Sequence, residues 1–238
     1  MKVLALDSSG LVASVAVLED ENLVAEYTIQ YKKTHSQTLL PMLEEISRII
    51  ELDLTTVDAI AVAKGPGSFT GLRIGSATAK GLGMALNKPL VGVPTVDGLA
   101  YNLYGCQALI CPLMDARRNQ TYTGLYTFAR EGDGYEMQII KPQCAVALKE
   151  ILEEINRLGR EVIFLGDGVP VFRAQIEERL QVAYSFAPAS CNRQRAAALG
   201  VLALSYIAGG RLEEAGQHQP EYLRPSQAER ERNEAKKG

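Results

Sequence analysis

Runs of apolar residues, separated by short polar turns, divide the chain into two similar halves. In the first half they predict three strands, a helix, a strand, a helix, a strand and a short helix. Leu39, Leu43, Ile46 and Ile50 mark the first helix, because their spacings of four, three and four place them on one helical face. The predicted elements are strands at 2–6, 12–18, 23–30, 59–63 and 89–93 and helices at 36–51, 70–86 and 100–103.

The second half repeats this order of elements. Asp115 ends a strand and precedes a polar turn, as Asp7 does, and matching elements are offset by about 108 and about 100 residues. The elements predicted here are strands at 109–114, 121–129, from the turn at 132–134 through Ile139, and 162–165, and helices at 148–158, 171–180 and 196–208.

Two lobes with the element order β-β-β-α-β-α are the architecture of the actin-like (ASKHA) ATPases, in which a nucleotide normally lies between the lobes. We therefore predict an α/β fold with a first lobe at 1–104, a reduced second lobe at 105–227 and a charged, disordered tail at 228–238. An unrelated α/β fold with the same order is the alternative, because the halves share little sequence identity. Element order alone defines no function.

Composition and charge narrow the class of protein. Apolar residues make up 47% and charged residues 22% of the chain, which is enough for a buried core. A net charge of −3 argues against a strongly basic nucleic-acid binder. The longest apolar stretch, 196–208, is shorter than the roughly 20 residues of a membrane span, and Lys2 begins no secretory leader. We expect a cytoplasmic protein with no membrane contact. Two histidines and four cysteines without C-x-x-C spacing leave little material for a metal centre.

The turn after the first strand is a candidate phosphate-binding loop. It consists of Asp7, Ser8, Ser9 and Gly10. A carboxylate there can hold a magnesium-bound water, and backbone N–H groups of a tight turn can cradle a phosphate. The alternative is ordinary hairpin chemistry, because Asp, Ser and Gly are common turn residues.

The helix predicted at 70–86 carries small residues at every fourth position: Gly71, Gly75, Ala79 and Gly83. Each glycine in a helix interior costs about 1 kcal/mol relative to alanine, so a close contact must offset that loss. Tight packing on the chain's own sheet and a helix–helix interface with a partner both explain the stripe. Both are possible together if they use different faces.

The helix predicted at 36–51 has more apolar residues than one stripe requires. If one stripe faces the core, Leu40 and Met42 lean outward, and an exposed apolar surface of this size favours an interaction site. The alternative is a helix that its own chain buries on both sides.

The chain resembles the TsaB (YeaZ) family, the dimerisation subunits of the bacterial complex that makes threonylcarbamoyladenosine next to the tRNA anticodon. The resemblance covers both ends and most of the first half. GPGSFTGLR followed by AKGL is its most specific part. The matching stretches are VLALDSSG at 3–10, THSQTLLPML at 34–43, GPGSFTGLRIG at 65–75, AKGL at 79–82, NKPLVGVPTVDGLA at 87–100 and PEYLRP at 220–225.

The resemblance implies an actin-like fold and a scaffold role with no catalytic residues. Its implied partners are the catalytic relative TsaD, the ATPase TsaE, a second copy of the chain and, through the complex, tRNA. ATP or ADP would bind weakly or at a partner interface. Thr95 and Leu99 stand where the histidines of TsaD bind metal, and leucine has no donor atom, so we expect no metal. The implied interface comprises Leu39, Leu40, Met42, Leu43, Ile46, Gly71, Leu72, Gly75, Ser76, Ala79, Lys80 and Gly83.

Two other functions remain open from the sequence. An actin-like ATPase or phosphotransferase would use Asp7 and the turn that follows it, together with Asp115 across a cleft. A peptidase is the third possibility, and the missing histidine pair argues against it.

Overall fold

Two five-stranded sheets form the frame of the molecule, and the computed structural model describes residues 1–31 and 35–224. The first sheet has the order β3-β2-β1-β4-β5 and the second has the order β10-β9-β6-β7-β8, which is the same topology read in the opposite direction. The strands of the first sheet are β1 Lys2–Asp7, β2 Ala13–Glu19, β3 Asn22–Ile29, β4 Ala59–Gly65 and β5 Leu90–Pro94. Those of the second are β6 Leu109–Asp115, β7 Gln120–Glu131, β8 Gly134–Ala147, β9 Val162–Leu165 and β10 Tyr184–Phe186.

Six α-helices cover the sheets within the described residues. In the first lobe α1 and α2 pack on one face of the sheet, and α4 and α5 do the same in the second lobe. The other faces are covered by exchanged helices: α6 packs on the first sheet and α3 on the second. The helices are α1 Leu39–Ile49, α2 Phe69–Leu86, α3 Thr95–Ala100, α4 Leu148–Leu158, α5 Val169–Arg179 and α6 Ala196–Ala208.

The predicted α/β fold of two duplicated lobes is confirmed, and α4 and β9 match their predicted bounds residue by residue. The second lobe is not reduced in its number of strands, because β10 supplies a fifth strand that the sequence analysis missed. It is smaller in two of its helices, since α5 has 11 residues where α2 has 18, and α3 has 6 where α6 has 13. The helix predicted at 100–103 is a 3-10 turn that follows α3.

The predicted boundary at residue 104 separates the two sheets, but the packing crosses it through α3 and α6. The division into lobes at 1–104 and 105–227 stays a prediction, and the tail predicted at 228–238 lies outside the described residues. No helix in the described part of the chain is long and apolar enough to cross a membrane.

A buried carboxyl group joins the lobes where the chain passes between them. Asp97 of α3 accepts hydrogen bonds from the hydroxyl of Tyr126 on β7 at 2.6 Å and from the hydroxyl of Tyr206 on α6 at 3.2 Å. Burial raises the pKa of Asp97. Two hydroxyl donors from different elements thus fix α3 against both lobes.

Candidate functional site

A cleft of about 410 Å³ lies between the lobes. The first lobe contributes Ser9 and Gly10 from the turn after β1 and the residues that begin α2. The second lobe contributes Asp115, Arg117 and Asp167. The cleft is therefore bordered by the loops that follow the first strand of each lobe.

The predicted phosphate-binding turn directs its carboxylate inward. Asp7 is buried, and its Oδ1 accepts hydrogen bonds from the backbone N–H of Ser9 at 2.8 Å and from the Ser9 hydroxyl at 2.6 Å. Burial raises the pKa of Asp7 above its ordinary value. Ser9 and Gly10 line the cleft, whereas Asp7 and Ser8 do not. The carboxylate thus stabilises the turn by hydrogen bonds, as Asp commonly does in the turns of hairpins.

The turn is packed tightly against the first residues of α2. The Ser8 hydroxyl donates to the carbonyl of Gly71 at 2.9 Å, and the N–H of Ser68 donates to the carbonyl of Ser9 at 2.7 Å. A Cβ atom at Gly71 would overlap with the backbone oxygen of Ser8, and one at Gly75 would lie 2.5 Å from the Ser8 hydroxyl. Glycine is therefore required at these positions by a contact within the chain.

Most of the predicted interface residues are buried within the chain itself, and their assignment to an interface stays a prediction. The small-residue stripe of α2 faces the chain's own sheet and turn, and the apolar stripe of α1 lies in the same core. Met42, predicted to lean outward, is only 2% exposed. Leu40 is exposed, and Lys80 is half-buried and donates to the carbonyl of His218 at 3.1 Å. The residues buried within the chain are Leu39, Met42, Leu43, Ile46, Gly71, Leu72, Gly75, Ser76, Ala79 and Gly83.

The other sides of the same two helices carry exposed residues, and we name this set of residues the outer helix surface. On α1, Leu40 is 52% and Ile49 is 63% exposed, and on α2 Met84 is 67% exposed. Apart from the glycine, its two chain neighbours and the adjacent helix backbone, no atom of the described residues lies within 4 Å of the position that a Cβ would take at Gly81. The surface comprises Leu40, Ile49, Ala77, Gly81, Met84 and Ala85, all exposed. Ala77, Gly81 and Ala85 form a second stripe at a spacing of four, which the sequence analysis missed.

The second lobe places two carboxyl groups at the cleft. Arg117 forms an ion pair with Asp115 at 3.1 Å, and the backbone N–H of Asp115 donates to Oδ1 of Asp167 at 3.3 Å. Burial is the main reason why the pKa of Asp167 is raised. On this wall Arg117 thus offsets the charge of Asp115, while Asp167 accepts a backbone hydrogen bond.

The positions that correspond to the metal-binding histidines of TsaD lie inside the protein. Thr95 and Leu99 are both 1% exposed on α3. Among residues 1–31 and 35–224, no group of three or more His, Cys, Asp or Glu side chains could hold a metal ion. The expectation that the chain binds no metal stays a prediction.

Two lobes of equal topology around a cleft define an actin-like α/β protein. A family model described as TsaD, tRNA N6-adenosine threonylcarbamoyltransferase, matches residues 22–232. The tRNA threonylcarbamoyladenosine biosynthesis protein TsaB of Bacillus subtilis strain 168 is 34% identical over 231 residues, which cover 96% of each chain. TsaB of Escherichia coli K12 is 30% identical over 174 residues, or 71% of this chain and 72% of the relative. The chain belongs to the TsaB family.

Two solved structures from Pseudomonas aeruginosa share the whole fold. One, described as an uncharacterized protein with similarity to peptidase YeaZ, has a TM-score of 0.78 at 30% identity and covers 94% of this chain and 99% of its own. The other, described as YeaZ, has a TM-score of 0.76 at 28% identity, with 93% and 100% covered. The resemblance inferred from the sequence motifs is therefore confirmed.

Proposed function

We propose that this chain is a non-catalytic dimerisation subunit in the biosynthesis of threonylcarbamoyladenosine in tRNA. Its catalytic partner is a TsaD-like subunit, which attaches the threonylcarbamoyl group to N6 of the adenosine next to the anticodon. The names of the TsaB relatives support the pathway. The match of a TsaD model to residues 22–232 supports a partner of the same fold.

The outer helix surface is the observation that carries the dimerisation role. α1 exposes Leu40 and Ile49 on two flanks, and α2 exposes Met84 together with a stripe of alanine and glycine, which lets a second backbone approach closely. Gly81 costs α2 about 1 kcal/mol relative to alanine, and no close contact among residues 1–31 and 35–224 offsets that loss. A helix of another subunit would offset it by packing directly over Gly81.

The inward position of Asp7 favours a scaffold over an actin-like ATPase or phosphotransferase. A magnesium-bound nucleotide in the cleft would need this carboxylate, which instead accepts two hydrogen bonds from Ser9. Asp115 is paired with Arg117. We therefore assign ATP or ADP to a weak or partner-shared site, and we assign no catalytic residue.

The remaining partners follow from the family resemblance. We include a TsaE-like ATPase, a homodimer that forms without the catalytic subunit, and indirect contact with tRNA through the complex. The net charge of −3 supports indirect contact, because strong binding to tRNA by this chain alone needs a basic surface. The cytoplasm is the compartment in which these partners meet.

A substitution at Gly81 tests the proposal. Gly81→Leu places a bulky side chain on the outer helix surface, and the chain should bind a co-purified TsaD-like subunit about 30-fold more weakly, since a central interface position commonly contributes about 2 kcal/mol. Sedimentation velocity of the mixed full-length proteins measures the loss. Gly81→Ala is the matched control, because a methyl group fits the open space in the isolated chain.

A second substitution keeps the test independent of helix propensity. Leu40→Glu adds a charge to α1 and should weaken the same association, while the buried neighbour Leu39 stays in the core. If both Gly81→Leu and Leu40→Glu bind the TsaD-like subunit as tightly as the unmodified chain, the outer helix surface is not the interface.

A further inference from the structure

After α6 the chain turns back and crosses the first lobe in residues 209–224, which include a 3-10 turn at Ala215–Gln217 and which we name the strap. Glu213 pairs with Leu90 through two backbone hydrogen bonds of 2.9 Å, so the strap adds to the free edge of β5. Ala215 is buried next to Gly83 of α2. The strap therefore begins as part of the first lobe.

Buried contacts hold the middle of the strap. His218 is 1% exposed, and its Nδ1 lies 2.6 Å from Oε1 of Glu213. Lys80 of α2 donates to the carbonyl of His218 at 3.1 Å. His218 is shielded from water and two half-buried partners hold it, so this part of the strap does not separate without exposing a buried side chain.

The last residues of the strap, 221–224, form its tip, and the tip packs on the beginning of α2. The N–H of Glu221 donates to the carbonyl of Lys64 at 2.7 Å. The ring of Tyr222 stacks on Phe69 with 4.2 Å between centroids, and the guanidinium of Arg73 lies 4.3 Å from the centre of the Phe69 ring. Tyr222 is 37% exposed, so the tip is held by a surface contact.

The strap then reaches the second lobe. Nη1 of Arg224 donates to the carbonyl of Ala116 at 2.8 Å, in the loop that joins β6 to β7. Tyr222, Leu223 and Arg224 form part of the wall of the cleft. One short segment thus contacts both lobes at the cleft, whereas Asp97 joins them where the chain passes between them.

We propose that residues 219–224 act as a clasp that fixes the separation of the two lobes at the cleft. The clasp releases at its tip, because the stacked Tyr222 and the hydrogen bond of Arg224 are more exposed to water than the contacts of Ala215 and His218. Release frees the loop after β6 and widens the cleft, while the strap stays attached to β5. The clasp is independent of which partner binds the outer helix surface.

Hydrogen exchange of the full-length chain, read by mass spectrometry, tests the clasp. Arg224→Ala should raise amide exchange in residues 116–122 about fivefold and leave α4 unchanged, because the loop loses its bond to the strap. Arg130→Ala is the matched control, since Arg130 is exposed near the opposite end of β7. Thermal unfolding of each variant checks that it is folded.

Substitutions at Tyr222 separate release of the tip from loss of one hydrogen bond. Tyr222→Ala should raise exchange about fivefold both in residues 116–122 and at the beginning of α2. Tyr222→Phe retains the stacked ring, loses only the long 3.4 Å hydrogen bond from Nε of Arg73, and should exchange close to the unmodified rate. If Arg224→Ala and Tyr222→Ala both match Arg130→Ala in residues 116–122, the strap does not hold the lobes together.

Discussion

The two sides of α2 carry the same kind of sequence and meet different surroundings. The inner side has glycine at positions 71, 75 and 83, and each is in close contact with the chain's own turn, sheet or strap. The outer side has Ala77, Gly81 and Ala85, and Gly81 faces open space. A stripe of small residues therefore does not by itself distinguish packing within a chain from packing between chains.

The different surroundings of the two sides show which glycines of α2 the fold needs. On the inner side the helical cost of glycine is offset by hydrogen bonds and contacts that a side chain would block, as at Gly71 and Ser8. On the outer side, no close contact among the described residues offsets the helical cost of Gly81. Three substitutions test this contrast, and the largest effect is expected on the inner side.

Gly71→Ala should lower the free energy of unfolding by about 3 kcal/mol. The new methyl group would overlap with the backbone oxygen of Ser8, which cannot move without breaking the turn after β1. Urea denaturation measures the loss. A decrease of less than about 0.5 kcal/mol would mean that the inner side has room to adjust, and the contrast between the sides would disappear.

The carboxyl group beneath the inner side should give stability a dependence on pH. Burial raises the pKa of Asp7 in the folded state, so the folded chain binds this proton more tightly than the unfolded chain. The contribution of Asp7 therefore falls as pH rises from about 4 through its folded pKa, by up to about 1.4 kcal/mol per pH unit. Denaturation curves of the unmodified chain and of Asp7→Asn should differ by this slope, and parallel curves would contradict it.

Gly81→Ala should raise the free energy of unfolding by about 0.7 kcal/mol, which is the smallest of the three effects. Alanine restricts the unfolded chain and fits the open space above α2. Thermal unfolding measures the gain. A destabilised variant would show that Gly81 is needed within the chain, and the proposed interface would lose its main support.

The sequence was sufficient to predict the bounds of an element where the segment has its own hydrophobic pattern. The apolar positions of α4 repeat as a helix should, and β9 is a compact apolar run, so both were predicted with correct bounds. β10 has three residues, Tyr184 to Phe186, and is a strand only because β9 lies beside it. Such a short strand has no pattern of its own.

The site was harder to predict, because its decisive contacts join distant parts of the chain. Ser8 selects the side of α2 that is buried, and it lies 63 residues from Gly71. α2 has two stripes of small residues with the same spacing of four, and the sequence alone does not show which of them packs against the sheet. The exposed position of Leu40 was predicted correctly, while Met42 was not, because it lies in the core that α1 shares with the sheet.

The exchange of α3 and α6 between the lobes also sets the order in which the protein can be completed during translation. Val3, Ala5 and Leu18 on the first sheet are covered by Leu199 and Leu202 of α6. A ribosome that has released only the first lobe leaves this face bare, so the earliest strands stay uncovered until α6 of the second half follows. The nascent chain thus exposes apolar surface until α6 has been synthesised, and a chaperone that binds such surface would find it there.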